Sequence, residues 1–292
     1  MLFSDAVEAF INFLTIELQR SPYTIDGYKK DLKYFQNYLQ KSLGRYVLLS
    51  DCNIFIIRKY LLYAKKEKNY SPRTMMRNIA TLKSFCKFLF LEGLINENFA
   101  DRLHAPKIPE GMPRYLSKEE IQKICKCVDL STYSGLRDYT MLMTMYYAGL
   151  RVSELVHLAV NDVAELHDLS IRQGKGGKCR IIPMHNELQK VIGYYIAKRL
   201  STSKYLFPNK NGVPLSTQYI RKMVKKYAVK AGIDPAQVTP HVFRHSFATM
   251  LYKNGQVDLL RISKLLGHAN LRATTIYTHT SADHLRNAIE KL

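Results

Sequence analysis

Apolar residues recur along this chain mostly at three- and four-residue steps. In SPYTIDGYKKDLKYFQNYL, Tyr28, Leu32, Phe35 and Leu39 fall on one face, after Ser21 and Pro22 at the positions that suit a helix N-cap and first turn. SPRTMMRNIATLKSFCKFLF repeats the device: Ser71 and Pro72 precede Met75, Ile79, Leu82, Phe85 and Leu89. Further on, Ser117 with Glu120 makes a capping box, and YTMLMTMYYAGL predicts a buried helix that Gly149 stops. RVSELVHL then resumes the helical period, which changes at LSIRQ-GKGG-KCRIIP. There, alternation around a glycine-rich centre predicts a β-hairpin with Lys175 in its turn. Ser216 caps the basic helix QYIRKMVKKYAVKAG, and Thr239-Pro240 caps HVFRHSFATMLYKNG. Between the two helical regions, HAPKIPEGMPRY has three prolines and a glycine, which predicts a linker over 104–115. The expected organisation is a helical domain over 1–103, the linker, and a mostly helical domain over 116–292 with a small antiparallel sheet.

Composition narrows the function. The chain has 292 residues, 47% of them apolar, so a buried core is affordable and disorder is excluded. No apolar run reaches the ~20 residues that span a bilayer. The opening MLFSDAVEAF carries Asp5 and Glu8 and does not read as a signal peptide, and five cysteines without a disulfide-like pattern fit a reducing cytoplasm. Lysine and arginine number 44 against 24 acids, a net charge of +20, which directs attention to a polyanion such as nucleic acid. Residues 1–107 contain 17 basic and 10 acidic residues and the remainder 27 and 14, so both halves are expected to face it. Arg73, Arg77 and Lys83, and Arg221, Lys222 and Lys225, are the candidate DNA contacts on the two basic helices. A solvated charged face would read the same way for any one of them.

Individual motifs are ambiguous. His241, Arg244 and His245 share a helix face, but the zinc-protease pattern needs glutamate where Val242 stands, and no Cys-x-x-Cys knuckle exists. His241 and Arg244 at a helix N-terminus suit an anion instead. For His245, a buried, hydrogen-bonded histidine is the plainer reading. GKGGK is not a nucleotide cradle, because Cys179 follows Lys178 and no helix starts there. Arg151 lies among apolar neighbours and needs an anionic or carbonyl partner, for which Glu154 is the local candidate.

Taken in order and spacing, AGLRVSEL, GKGGKCRIIP, TPHVFRHSFATML and LLGHANLRATTIYTH resemble the tyrosine recombinase family, and within it the Xer-type site-specific recombinases. The resemblance spans nearly the whole chain. It implies a mainly α protein with a SAM-like core-binding domain and an α+β catalytic domain. Phe243 and Met250 depart from the residues usual in the family, at positions outside the chemistry. The implied catalytic set is Arg151, Lys175, His241, Arg244, His268 and the nucleophile Tyr277. It also implies cleavage and rejoining of double-stranded DNA at a specific site through a 3′-phosphotyrosine, without metal or nucleotide cofactor. DHLRNAIEKL places Leu285, Ala288, Ile289 and Leu292 on one face of a helix too short to stand alone. The resemblance implies that 283–292 docks on a neighbouring protomer, in a tetramer of one recombinase or of two. Resolution of chromosome or plasmid dimers in the cytoplasm, on the nucleoid, is the expected role. The alternatives are a mobile-element integrase or transposase, a type IB topoisomerase, and a non-catalytic DNA-binding module. An arm-binding domain of the kind many integrases carry is not expected, since the chain begins directly with the core-binding helix.

Overall fold

The computed structural model describes residues 1–107, 114–163, 165, 167–172, 179–253 and 257–267. The chain divides into two compact units, Met1–Glu110 and Gly111–Leu292. The expected linker lies partly outside the described residues.

The first unit comprises α1 (Phe3–Ile16), α2 (Pro22–Leu43), α3 (Ile54–Lys66) and α4 (Pro72–Leu91). Ser21 and Ser71 cap as expected: each hydroxyl accepts the backbone N–H three residues on, from Thr24 and Thr74. The apolar faces of α2 and α4 meet α1, where the Phe3 and Phe10 rings each sit 5.4 Å from Phe85, edge-on. One polar tie crosses this core. Arg77 of α4 donates from Nε and Nη2 to the buried Asp31 of α2, at 3.1 and 2.7 Å, and Thr81 Oγ1 adds a third bond at 3.0 Å.

The second unit is built on α5 (Lys118–Lys126), α6 (Tyr133–Ala148), α7 (Val152–Val156), α8 (Asn186–Ala197), α9 (Thr217–Lys230), α10 (Pro240–Lys253) and α11 (Leu259–Leu266). Strands β1 (Asp168–Ile171) and β2 (Arg180–Pro183) pair antiparallel, with Ile171 opposite Arg180. This is the hairpin that the alternation predicts, although its turn, with Lys175, lies outside the described residues. The Ser117 capping box is present. Helix α6 is central and packs on α8 and α10. It starts six residues before the predicted apolar run, where Thr132 caps it. Its buried Asp138 accepts the hydroxyls of Tyr219 and Tyr227 at 3.1 Å each, which braces α6 against α9. The described part of the chain is thus mainly helical with one small sheet. None of its helices is long and apolar enough to cross a membrane.

Gly149 ends α6 in the left-handed region, at φ 58°. A Cβ there would lie 2.3 Å from Cδ1 of Phe247, so the position demands glycine both for backbone conformation and for space. Gly149→Ala should cost about 3 kcal/mol, combining left-handed strain with overpacking against α10. Denaturant unfolding of the variant against the parent measures it.

Candidate active site

The turn at Gly149 delivers Leu150 to the core and Arg151 to the N-cap of the short helix α7. The Arg151 backbone N–H donates to Glu154 Oε2 at 2.8 Å, and its Nη1 donates to Oε1 at 2.8 Å. Glu154, the local candidate partner, is therefore engaged, but by more than Arg151. Arg180, the first residue of β2, reaches the same carboxylate with both terminal nitrogens, Nη1 to Oε1 at 2.9 Å and Nη2 to Oε2 at 2.7 Å. Arg244 brings Nη1 to 3.9 Å from Oε2, an ion pair without a direct hydrogen bond. The side chains of Glu154, Arg244 and Arg180 are 2, 3 and 9% exposed, and that of Arg151 is 26% exposed.

The three guanidiniums also converge on the end of α11. Arg180 Nε donates to Leu265 O at 2.7 Å, Arg244 Nη2 to Leu266 O at 2.6 Å, and Arg151 Nη2 to Gly267 O at 2.8 Å. A helix ends in carbonyls without intrahelical partners and carries partial negative charge there, so three cations satisfy it doubly. Arg244 Nη1 further donates to Gly149 O at 2.8 Å. The result ties α6, α7, β2, α10 and α11 together around one carboxylate.

Helix α10 supplies the rest. Val242 N–H donates to Thr239 Oγ1 at 3.2 Å, so the chain enters α10 as its Thr-Pro signal predicts. His241 stands on the first turn, exposed at its edge. Close surroundings disfavour its charged form, and the nearby charges of Arg244 and Arg151 add to this, so its pKa is lowered. The His245 ring meets it edge-to-face, centroids 4.4 Å apart, and is pushed down to about 4, by burial first and then by His241 and Arg244. Both are neutral imidazoles at pH 7.

Arg151, His241 and Arg244 line a cleft of about 690 Å³, together with Arg221, Lys222 and Lys225 of α9. Three predicted catalytic and three predicted DNA-contact residues thus share one cavity. Arg73 is exposed on α4, while Arg77 is committed to Asp31 and Lys83 Nζ lies 3.4 Å from Asp101 O, all in the first unit. Lys175, His268 and Tyr277 lie outside the described residues. Arg180 is not among the residues that the sequence motifs mark. Its only local signal is an arginine in an otherwise apolar strand, RIIP. A separate apolar groove of about 1400 Å³ between α5, α6, α8 and α10, lined by Ile121, Tyr139, Met143, Tyr147 and Leu251 among others, contains none of the described candidates.

Burial alone would raise the Glu154 pKa, but the bonds from Arg180, the Arg151 backbone and the Arg151 side chain outweigh it and bring it down to about 2. An unfolded glutamate protonates below roughly pH 4.3. Between that value and about 2 the unfolded chain therefore binds the extra proton, and stability falls as pH falls. Glu154→Gln should remove this acid-labile contribution and flatten the stability–pH curve over that window. At pH 7 it should cost about 3–5 kcal/mol, because Arg180 and Arg244 lose their counter-charge. Urea unfolding from pH 7 down to 3 tests both parts.

Two family descriptions match the chain: the phage integrase family over residues 114–284, and the N-terminal SAM-like domain of phage integrases over residues 7–93. Tyrosine recombinase XerD of Listeria monocytogenes serotype 4b (strain F2365) is 36% identical over 299 residues, covering 99% of this chain and 98% of the relative. Tyrosine recombinase XerA of Pyrococcus horikoshii (strain ATCC 700860 / DSM 12428 / JCM 9974 / NBRC 100139 / OT-3) is 40% identical over 292 residues, 99% and 93% of the two chains. The crystal structure of the XerH site-specific recombinase bound to a palindromic difH substrate, a post-cleavage complex, shares the fold with a TM-score of 0.74. Its identity is 22%, over 91% of this chain and 79% of that one. Relatives of this kind favour recombination over the topoisomerase and mobile-element alternatives. The chain belongs to the phage integrase family, as a tyrosine recombinase of the Xer type that cleaves and rejoins DNA strands in site-specific recombination.

Proposed function

We propose that Tyr277 is the nucleophile and that Arg151, Lys175, His241, Arg244 and His268 serve its attack on a DNA phosphodiester. A tyrosine hydroxyl, with an ordinary pKa near ~10, needs a proton acceptor at neutral pH. His241, held neutral beside the arginines, takes that role. As the Tyr277 oxygen bonds to phosphorus, the P–O5′ bond breaks, and the departing oxygen takes a proton from Lys175. Negative charge on the nonbridging oxygens is met by Arg151, Arg244 and His268. The bonds to Glu154 and Gly267 use two of the five N–H donors of Arg151, which leaves three for phosphate. The 3′-phosphotyrosine keeps the bond energy, so a second 5′-hydroxyl attacks it and rejoins the strand.

The observation that carries this reading is the shared cleft: Arg151, His241 and Arg244 open onto the same cavity as the lysines and arginine of α9. Arg221, Lys222 and Lys225 then hold the duplex backbone near the reacting phosphate, while Arg73 and Lys83 contact it from the core-binding domain, joined by Arg77 through the Nη1 that its bonds to Asp31 leave over. That domain comprises residues 1–103, joined by 104–115 to the catalytic domain, 116–292. The substrate is double-stranded DNA, as in the difH complex of the related recombinase. The role is resolution of chromosome or plasmid dimers on the nucleoid of the cytoplasm. Recombinases assemble on the site as a tetramer, of this chain alone or with a second recombinase, and the helix at 283–292 links the protomers. Its face of Leu285, Ala288, Ile289 and Leu292 suits the apolar groove between α5, α6, α8 and α10.

Three measurements test the reading. A nicked duplex, carrying a site selected from random sequences by the full chain, should trap a covalent protein–DNA adduct that Tyr277→Phe abolishes. An adduct that persists in the variant would assign the nucleophile elsewhere. Binding to the intact duplex should fall by about 10³-fold or more between 50 and 200 mM salt, as for interfaces with several phosphate contacts. A chain truncated after Ala282 should bind DNA but fail to form tetramers on it; normal tetramers would remove the docking role of 283–292.

A further inference from the structure

Arg180 has no place in the six-residue catalytic set, yet its guanidinium bonds through all three of its nitrogens. Its Nη1 and Nη2 hold both carboxylate oxygens, and its Nε holds Leu265 O, so one planar group joins α7 to the last turn of α11. Fixed fork geometry is what allows three bonds in three set directions, and lysine cannot reproduce it. Gly267 packs against the same side chain. Gly267 is left-handed at φ 63°, and a Cβ there would come within 3.1 Å of Arg180 Nη1 and 3.3 Å of its Cδ. The backbone at the end of α11 therefore lies directly against the Arg180 side chain, and glycine permits the approach. The same glycine carbonyl is held by Arg151 Nη2, and the chain continues from it to His268.

We infer that Arg180 is a positioning residue for phosphate recognition: through Glu154 it orients Arg151, and through Leu265 it fixes the α11 terminus from which the chain leads to His268. It stands behind the cleft rather than on it: its side chain is buried and does not line the cavity shared by Arg151, His241 and Arg244. This deepens the reading of Arg151 as a phosphate ligand and rests on it. Without Arg180, Glu154 keeps the Nη1 and backbone N–H bonds from Arg151 and the longer ion pair with Arg244, loses its two-pronged bond across both oxygens, and the α11 terminus loses one of its three clamps. The phosphate ligands then lose their alignment with the developing charge, although each is still present.

The test separates charge recognition from general loss of structure. Adduct formation is timed on two nicked duplexes of the selected site, one with an ordinary scissile phosphodiester and one with a methylphosphonate in its place. The methyl group removes the negative charge that the arginines meet. Arg180→Gln should slow adduct formation on the phosphodiester about 100-fold, the scale of a misplacement of about 1 Å. On the uncharged substrate it should slow the reaction no more than about threefold, since little charge remains to stabilise. Arg151→Ala should show the same selectivity. Arg180→Lys keeps a cation beside Glu154 and so secures the fold; with its thermal midpoint unchanged, it should show the same selective loss. An equal loss on both substrates, or no loss, overturns the inference while leaving the Tyr277 chemistry standing. Failure of the unmodified chain to form an adduct on the phosphodiester overturns the functional reading and this inference together.

Discussion

A carboxylate withdrawn from water beside three guanidiniums is a demanding arrangement, and the catalytic unit is organised by it. Glu154 could not stay ionised in that position alone, nor could Arg180 and Arg244 be buried without it. Each ion is tolerated because the others are there, and because their remaining donors find the α11 carbonyls and Gly149 O. Removal of any member leaves a charge or a helix terminus uncompensated. The consequence is geometric as well as energetic. Five elements, joined by bonds that span as many as 116 positions, are held with their cations aimed before any substrate arrives, which is the condition for electrostatic catalysis without reorganisation.

The same economy governs the rest of the chain. With 24 acids against 44 bases, carboxylates are scarce, and the described residues place four of them inside: Asp31, Asp138, Glu154 and Asp162. Asp31 ties α2 to α4, Asp138 ties α6 to α9, and Glu154 ties the catalytic elements. Asp162 accepts the Ala159 backbone N–H and pairs with Arg172 beside the hairpin. Acids placed inside as counter-ions do not cancel the lysines outside at close range. The strong outward field and the internal braces are thus two results of one distribution.

What the sequence revealed follows from the range of the interactions. Helix caps at Ser21, Ser71, Ser117 and Ser216, the stop at Gly149 and the hairpin pairing are set by neighbours a few residues apart, and each was readable. The apolar faces of α2 and α4 were readable by the same period. Helices α1, α3 and α8 were not singled out, because they lack the Ser-Pro signal that flags α2 and α4 and their periodicity alone is less distinctive. Arg77 read as one of a row of basic residues, because Asp31, 46 positions away, cannot be seen from its neighbourhood. Arg180 is inconspicuous in the sequence for the same reason. Its partners are 26 and 85 positions distant, and no local pattern distinguishes a strand arginine that is buried from one in water. The arginines and histidines proposed as catalytic are legible only as members of an ordered set of motifs, not one by one.

The cation cluster also bears on the proposed base. Desolvation first, and then Arg244 and Arg151, hold the His241 pKa down, so before phosphate binds the imidazole is neutral but a weak proton acceptor. A phosphodiester bound between the arginines brings a negative charge that offsets theirs. The electrostatic cost of protonating His241 then falls, and it falls further as charge accumulates on the nonbridging oxygens in the transition state. In the proposed mechanism, proton transfer from Tyr277 to His241 thus becomes easiest when the phosphate is in place, so the groups proposed to bind the substrate would also set when its nucleophile is unmasked. Burial of His241 by itself could not do this, since a desolvation penalty offers no response to the charge of a ligand. The dependence on arginine charge makes the base conditional on substrate, and the Glu154–Arg180 brace fixes where that charge stands.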